Sequence, residues 1–201
     1  MALSFRYEKK FWDVDFEYIA GVDEVGRGPL AGPIVAAAVI FSPKTKIKGL
    51  NDSKQLTPTL REKLYLEIQE KALAVGIALL DHKMIDKINI GKANRLALKM
   101  AVEALSITPQ YLLIDGKRMR IDLPIQQVSL VKGDGRCASI AAASIIAKVT
   151  RDRMMLQFHQ KYPHYGFDRH KGYGTKEHFR KLEKFGPCLI HRRSFYPVSQ
   201  Y

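Results

Sequence analysis

An apolar run, Tyr18-Ile19-Ala20-Gly21-Val22, closes on two adjacent carboxylates, Asp23 and Glu24, and the chain then passes two glycines that bracket an arginine, Gly26-Arg27-Gly28. The run reads as a strand. Side chains on a regular strand alternate faces, so Asp23 and Glu24 share a ligand only if the backbone turns near them. Gly26 and Gly28 permit such a bend. Two arrangements are open at this point. One is a strand-end turn with two solvated acids; the other is a bend that brings both carboxylates to one metal ion. Oxygen-only ligands suit Mg²⁺ or Mn²⁺ rather than zinc. Arg27 and the neighbouring amides then suit a phosphate beside the metal.

A second acid ends a strand in the same way. Tyr111-Leu112-Leu113-Ile114 closes on Asp115 and Gly116. If these strands are neighbours, Asp23, Glu24 and Asp115 meet at one edge of a sheet, where sites in α/β proteins form. Lys132-Gly133-Asp134-Gly135-Arg136 follows the last strand and can bring Asp134 to the same edge. Each acid alone is an ordinary cap or turn residue. Crowded together, four carboxylates repel unless cations sit between them, and two divalent ions are the usual solution in phosphoryl chemistry.

The elements between these acids predict a mixed sheet covered by helices. Strands are expected over 18–23, 34–41, 74–80, 111–115 and 125–131. The run Ile34–Phe41 is continuously apolar, hence buried on both faces. Thr57 and Pro58 mark a helix start that runs to about Leu73. Further helices are expected over 94–105, 139–159 and 176–185, with alanine packed into the first half of 139–159. Strands joined without helices pair antiparallel, and those separated by helices pair parallel. The organisation expected is an N-terminal extension (1–17), a catalytic domain (18–160) and a basic, helical C-terminal segment (161–201) docked on it.

The chain of 201 residues carries 33 Lys and Arg against 20 Asp and Glu, a net +13. Residues 151–201 hold 11 basic and 4 acidic residues and five of the six histidines. Such an excess suits a polyanionic partner. The five histidines lack metal-ligand spacing and read as surface or nucleic-acid contacts. Cys137 and Cys188, the only cysteines, read as reduced structural thiols. No stretch has signal-peptide character or bilayer-spanning length, so a cytoplasmic monomer is expected.

Taken together, several blocks resemble bacterial ribonuclease HII. They are Gly21–Pro33, Asn51–Leu56, Leu113–Gly116, Lys132–Asp134, Ala142–Asp152, His170–His178 and His191–Phe195, in the family's order and across most of residues 19–197. Val25 stands where the family usually has alanine. The resemblance implies a ribonuclease H-like α/β fold and a metal-dependent endonuclease. Its substrates would be RNA/DNA hybrids and single ribonucleotides embedded in duplex DNA, cut on the 5′ side to leave 5′-phosphate and 3′-hydroxyl ends, with a role in ribonucleotide removal. Carried over by position, Asp23, Glu24, Asp115 and Asp134 would be the catalytic, metal-binding acids for Mg²⁺ or Mn²⁺. Gly26, Arg27 and Gly28 would recognise the ribonucleotide, and Tyr173 would contact the sugar at the RNA-to-DNA junction. Ser53 and Lys54, before a capped helix, suit a phosphate contact, and Lys148 on the long helix is a further candidate substrate residue.

Three other readings make different predictions. A sibling ribonuclease H type would cut only longer hybrids. A non-catalytic basic module would bind nucleic acid equally with or without Mg²⁺ and needs no acid cluster. A phosphate-binding metabolic protein would carry a Walker or dinucleotide glycine pattern, and none is present.

Overall fold

The computed structural model describes residues 3–201. Five strands form one mixed sheet: β1 (Ile19–Val25), β2 (Ile34–Ile40), β3 (Ala74–Leu80), β4 (Tyr111–Asp115) and β5 (Gln126–Leu130). Their spatial order is β3-β2-β1-β4-β5. β1, β2 and β3 pair antiparallel. β4 joins β1 in parallel, and β5 joins β4 in parallel. β1 and β2, joined without a helix, pair antiparallel as the sequence predicts. The expectation fails at the two outer pairs: β2 and β3 are antiparallel although a helix over residues 58–71 intervenes, and β4 and β5 are parallel although residues 116–125 between them hold no helix.

Every residue of β2 is buried. Ile34, Ala36, Ala38 and Ile40 pack on one side with α4 (Ile90–Glu103), whereas Val35, Ala37 and Val39 pack on the other with α2 (Pro58–Lys71) and α5 (Ala138–Lys161). That double burial explains the unbroken apolar run. The alanines of α5 allow it to lie close on the sheet. At the point of closest approach β1 carries Gly21, where a Cβ would fall 2.1 Å from the Ser139 carbonyl carbon. No other residue fits there.

Two helices went unforeseen in the first half of the chain. α1 (Arg6–Trp12) lies in the N-terminal extension, and its buried Glu8 accepts the Ser139 amide at 2.7 Å. It thereby caps α5, whose own N-cap residue, Cys137, makes no side-chain capping bond. α3 (His82–Ile88) precedes α4. Asn89 separates the two at φ 65° and caps α4 through the Lys92 amide, so α4 begins four residues before the predicted start. The C-terminal segment contributes α6 (Phe167–His170) and α7 (Lys176–Phe185). α7 buries His178 and Leu182, and the chain after it runs back across the loop between β1 and β2. There the Gly32 amide bonds the Ile190 carbonyl at 2.9 Å and the Arg192 amide bonds the Leu30 carbonyl at 2.8 Å. Among the described residues no helix is long and apolar enough to cross a membrane.

Candidate active site

β1 and β4 run parallel with Val22 opposite Ile114, so the next residues in step are Asp23 and Asp115. Both leave the strands on the face covered by α5, the same side as Gly21 and Leu113. β1 remains paired through Val25, and the bend comes only at Gly26. Glu24 therefore leaves on the opposite face, toward α4, where the buried amide of Asn94 lies beside it. The sequence reading of a bend that turns Asp23 and Glu24 onto one point is corrected here. The two acids flank the strand end, and Asp115 lies within electrostatic reach of both.

Asp134 arrives from the turn Gly133–Gly135 that leads into α5. The turn is tied to the strand end by the Gly133 amide, which donates to Asp115 Oδ1 at 2.6 Å. A Cβ on Gly133 would fall 2.6 Å from the Ile140 side chain. Asp23 is only 5% exposed, and its Oδ1 accepts the Glu24 amide at 2.7 Å. Burial first, then the charges of Glu24 and Asp115, hold its carboxyl well above the usual carboxylate range. Burial raises Glu24 too, against the pull of Arg27, 3.6 Å away. Asp134 is raised by burial and by Asp115. Two cations answer this cluster: Arg27, and Lys54 at 3.7 Å from Asp134. Burial pulls Lys54 down, but Asp134, Asp52, Asp23 and Asp115 together outweigh it, and the amine titrates above its ordinary value. Among the described residues no three potential ligands close around one point. Four like charges at one sheet end hold one another apart.

Beside the acids lies a second, differently built region. The loop from Gly26 to Pro33 is held from beneath by two buried guanidinium groups. Arg192 donates to the carbonyls of Gly26 (2.6 Å), Arg27 (3.0 Å) and Gly32 (3.0 Å). Arg151 donates to those of Pro33 (2.9 Å) and Ala31 (3.1 Å), and also to Lys171 (3.0 Å). Burial, with Arg151 alongside, pulls Arg192 down to about 9, which leaves it charged at neutral pH. Neither arginine was singled out from the sequence. One signal was present: Arg151 continues the buried stripe Ala143, Ala147, Met155 at four-residue spacing, a place where a charge needs a partner.

Tyr173 faces this loop. A Cβ on Gly28 would meet only the Tyr173 ring, at 3.8 Å, so the two predicted substrate elements border one gap. Gly26 has φ +100°, and a Cβ there would fall 2.5 Å from Arg151 Nε. Gly28 has no such positive φ. Of the two glycines expected to permit the bend, Gly26 takes the positive φ, and Gly28 is the open side of the gap.

The Tyr173 loop is fixed by three of the five C-terminal histidines, and for these three the reading as surface or nucleic-acid contacts is corrected. His170, His178 and His191 are buried. The Cys188 amide donates to His191 Nδ1 at 3.0 Å, which makes Nε2 the protonated nitrogen. That N–H donates to His178 Nε2 at 2.9 Å, and His178 Nδ1–H donates to the Tyr173 carbonyl at 3.0 Å. In this arrangement both rings are neutral. Burial lowers His178 to about 4 and His191 to about 3.

Ser53 and Lys148 lie apart from the acids. Ser53 is buried, with its hydroxyl 2.8 Å from that of Ser144. Lys148 pairs with Asp152 at 2.7 Å, and Asp152 also faces Arg61, which donates to the Ser53 carbonyl at 2.9 Å. These groups anchor the loop that presents Lys54.

A mixed five-stranded sheet flanked by helices, with acids at the ends of adjacent parallel strands, is a ribonuclease H-like arrangement. The crystal structure of ribonuclease H2 from Pyrococcus horikoshii superposes with a TM-score of 0.79 at 29% identity, over 91% of this chain and 96% of that one. The crystal structure of Bst-RNase HIII in complex with Mn²⁺ shares the fold at a TM-score of 0.64 and 21% identity, over 92% of this chain and 68% of that one. Residues 20–198 match the family Ribonuclease HII. Curated ribonucleases HII from Enterococcus faecalis and Acetivibrio thermocellus are 54% and 55% identical to the chain. The alignments cover 96% and 94% of it and 75% and 73% of those proteins. The chain belongs to the ribonuclease HII family, and its activity is that of an endonuclease on RNA/DNA hybrids and embedded ribonucleotides.

Proposed function

We propose that Asp23, Glu24, Asp115 and Asp134 form a divalent-metal centre, for Mg²⁺ or Mn²⁺, that cuts on the 5′ side of a ribonucleotide and leaves 5′-phosphate and 3′-hydroxyl ends. The observation that carries this reading is the gathering of four carboxylates at one sheet end, Asp23 and Asp134 buried and Glu24 and Asp115 half-buried, with two flanking cations. The donor set is all oxygen, which fits hard cations, and the carboxyls of Asp23, Glu24 and Asp134 are raised first by burial and then by neighbouring acids, both of which such cations offset. The Mn²⁺ complex of the HIII structure supports the same choice. Bound divalent cations would supply an activated water and charge stabilisation for the leaving 3′ oxygen.

The chain's own groups do the rest. Lys54 and Arg27 sit at the rim of the acids, where each suits a backbone phosphate. Gly26-Arg27-Gly28 presents backbone rather than side chain to the gap, which suits reading a 2′-hydroxyl without regard to the base. Tyr173, 40% exposed, offers a ring face to the adjoining sugar. Residues 18–160 supply the acids and Arg151, and the docked segment 161–201 supplies Tyr173, Arg192 and the histidines that hold the Tyr173 loop. The test is incubation with duplex DNA holding one ribonucleotide, with Mg²⁺, with Mn²⁺ and with chelator, followed by mapping of the cut. Incision 5′ of the ribonucleotide that needs the metal supports the reading. Cleavage in chelator, or a cut elsewhere, contradicts it.

A further inference from the structure

The carbonyl oxygens of Gly26 and Arg27 both point into the protein, to the single guanidinium of Arg192. A trans peptide is planar, with its C=O and the following N–H directed oppositely. Holding these two carbonyls inward therefore turns the amides of Arg27 and Gly28 outward. Gly26 is buried whereas Arg27 and Gly28 are exposed, and among the described residues neither of those two amides makes a backbone hydrogen bond. Gly28 borders the gap beside Tyr173. The loop thus shows a pair of free, adjacent donors at the place where a substrate sugar and its phosphate would lie.

We propose that Arg192 is a positioning residue for sugar recognition, acting by aiming the Arg27 and Gly28 amides into the substrate gap. The inference rests on the reading that this loop recognises the ribonucleotide. A guanidinium is suited to the task. Its planar fork donates in several fixed directions at once and does not lose its proton. A lysine in its place has one compact ammonium that cannot span the carbonyls of Gly26, Arg27 and Gly32 together. Arg151 performs the matching service on the far side of the loop, at Ala31 and Pro33, and joins it to the Tyr173 segment through Lys171. The two guanidinium groups lack carboxylate partners among the described residues. All six of these hydrogen bonds end on backbone carbonyls, so their charge is committed to loop geometry.

The experiment compares binding, in EDTA, to a duplex with one ribonucleotide and to the same duplex in all-DNA form. For Arg192→Lys and Arg192→Gln, thermal melting is measured in parallel. The expected result is a loss of about tenfold in the preference for the ribonucleotide, the worth of one or two neutral hydrogen bonds, with all-DNA affinity unchanged. An unchanged preference in a folded variant overturns the role of Arg192. Amide exchange on the wild-type protein by NMR supplies the arm that needs no variant to fold. Fast exchange at Arg27 and Gly28, slowed by the ribonucleotide duplex and not by DNA, supports the proposal. Slow exchange in the free protein means that the amides point inward and overturns it. Fast exchange that neither duplex alters removes the loop as the reader, and it overturns the underlying recognition model while leaving the metal centre standing.

Discussion

Two neighbouring regions of this molecule solve opposite problems. At the ends of β1 and β4, four acids, two buried and two half-buried, gather with too few cations, and burial and mutual charge raise Asp23, Glu24 and Asp134. Across the adjoining loop the charges are positive and the bonding is complete. Arg151 and Arg192 spend six hydrogen bonds on backbone carbonyls, and His191 and His178 pass a neutral chain to Tyr173. The first region is strained until something enters it. The second is satisfied as it stands and has fixed geometry to offer. Reaction chemistry belongs to the unsatisfied half and recognition to the satisfied half, and substitutions in the two should fail differently.

The largest separation is expected from Asp115→Asn. It should lower cleavage by more than about a thousandfold, beyond the ten- to hundredfold typical of groups that merely support a metal ligand. Hybrid affinity should hold or rise, because one repelling charge is gone while the Gly133 bond to Oδ1 is kept. Near-normal turnover at saturating Mg²⁺ would remove Asp115 from the chemistry.

Next come the two glycines. Gly26→Ala places a methyl group against Arg151 at a positive φ and should cost about 2 kcal/mol of stability as well as activity. Gly28→Ala meets nothing but the Tyr173 ring and should leave stability alone. It narrows the gap itself, so cleavage should fall by about a hundredfold with all-DNA binding intact. Equal melting temperatures for the two variants would break the distinction between fold and gap.

Tyr173→Ala should follow with a smaller loss, about tenfold, the worth of one lost stacking contact. The loss should be greater on a single embedded ribonucleotide than on a continuous hybrid, since only the former places a deoxyribose next to the reacting sugar. Parallel initial rates on both substrates decide this, and equal losses would dissociate Tyr173 from the junction.

The effect farthest from the chemistry is on acid stability. His178 and His191 titrate lower in the fold than the ordinary 6.5, so between those values the unfolded chain binds more protons. Stability must then fall as pH drops from about 6.5 toward about 4, by at most about 1.4 kcal/mol per pH unit for each ring. His170, Glu177, Arg193 and Cys188 are the titratable and charged groups around the pair. Urea unfolding across that range should show the slope, and His178→Gln should make it shallower. A flat profile would mean that the rings are not held neutral.

How much of this was legible in the sequence follows the same division. Apolar runs that end on acids are local patterns, and they placed Asp23 and Asp115 at strand ends; that the two strands are neighbours was a condition, which the sheet order meets. The Thr57 cap placed α2. Patterns of that kind cannot show contacts made across a hundred residues or more. Arg192 reaches Gly26, and Arg151 reaches Pro33, over separations of 166 and 118 positions. The buried histidines were hidden for a related reason, since Tyr165 and Phe167 that surround them belong to separate short elements. Which of two glycines takes the positive φ depends on what lies beneath each, and that too is tertiary. α1 was missed because its capping partner, Ser139, lies in another helix.

The central claim, that the acid end is strained until cations enter, is tested most directly by melting the metal-free protein and its Asp23→Asn variant, each with and without Mn²⁺. Asn keeps the Oδ1 acceptor for the Glu24 amide and removes a buried charge. The account predicts that the metal-free variant melts higher than the wild type by about 3 °C or more, as relief of about 1 kcal/mol implies for a chain of this size. It also predicts that Mn²⁺ raises the wild type well above its metal-free value and the variant little. A variant that melts lower than the metal-free wild type, together with no response of the wild type to Mn²⁺, would contradict it.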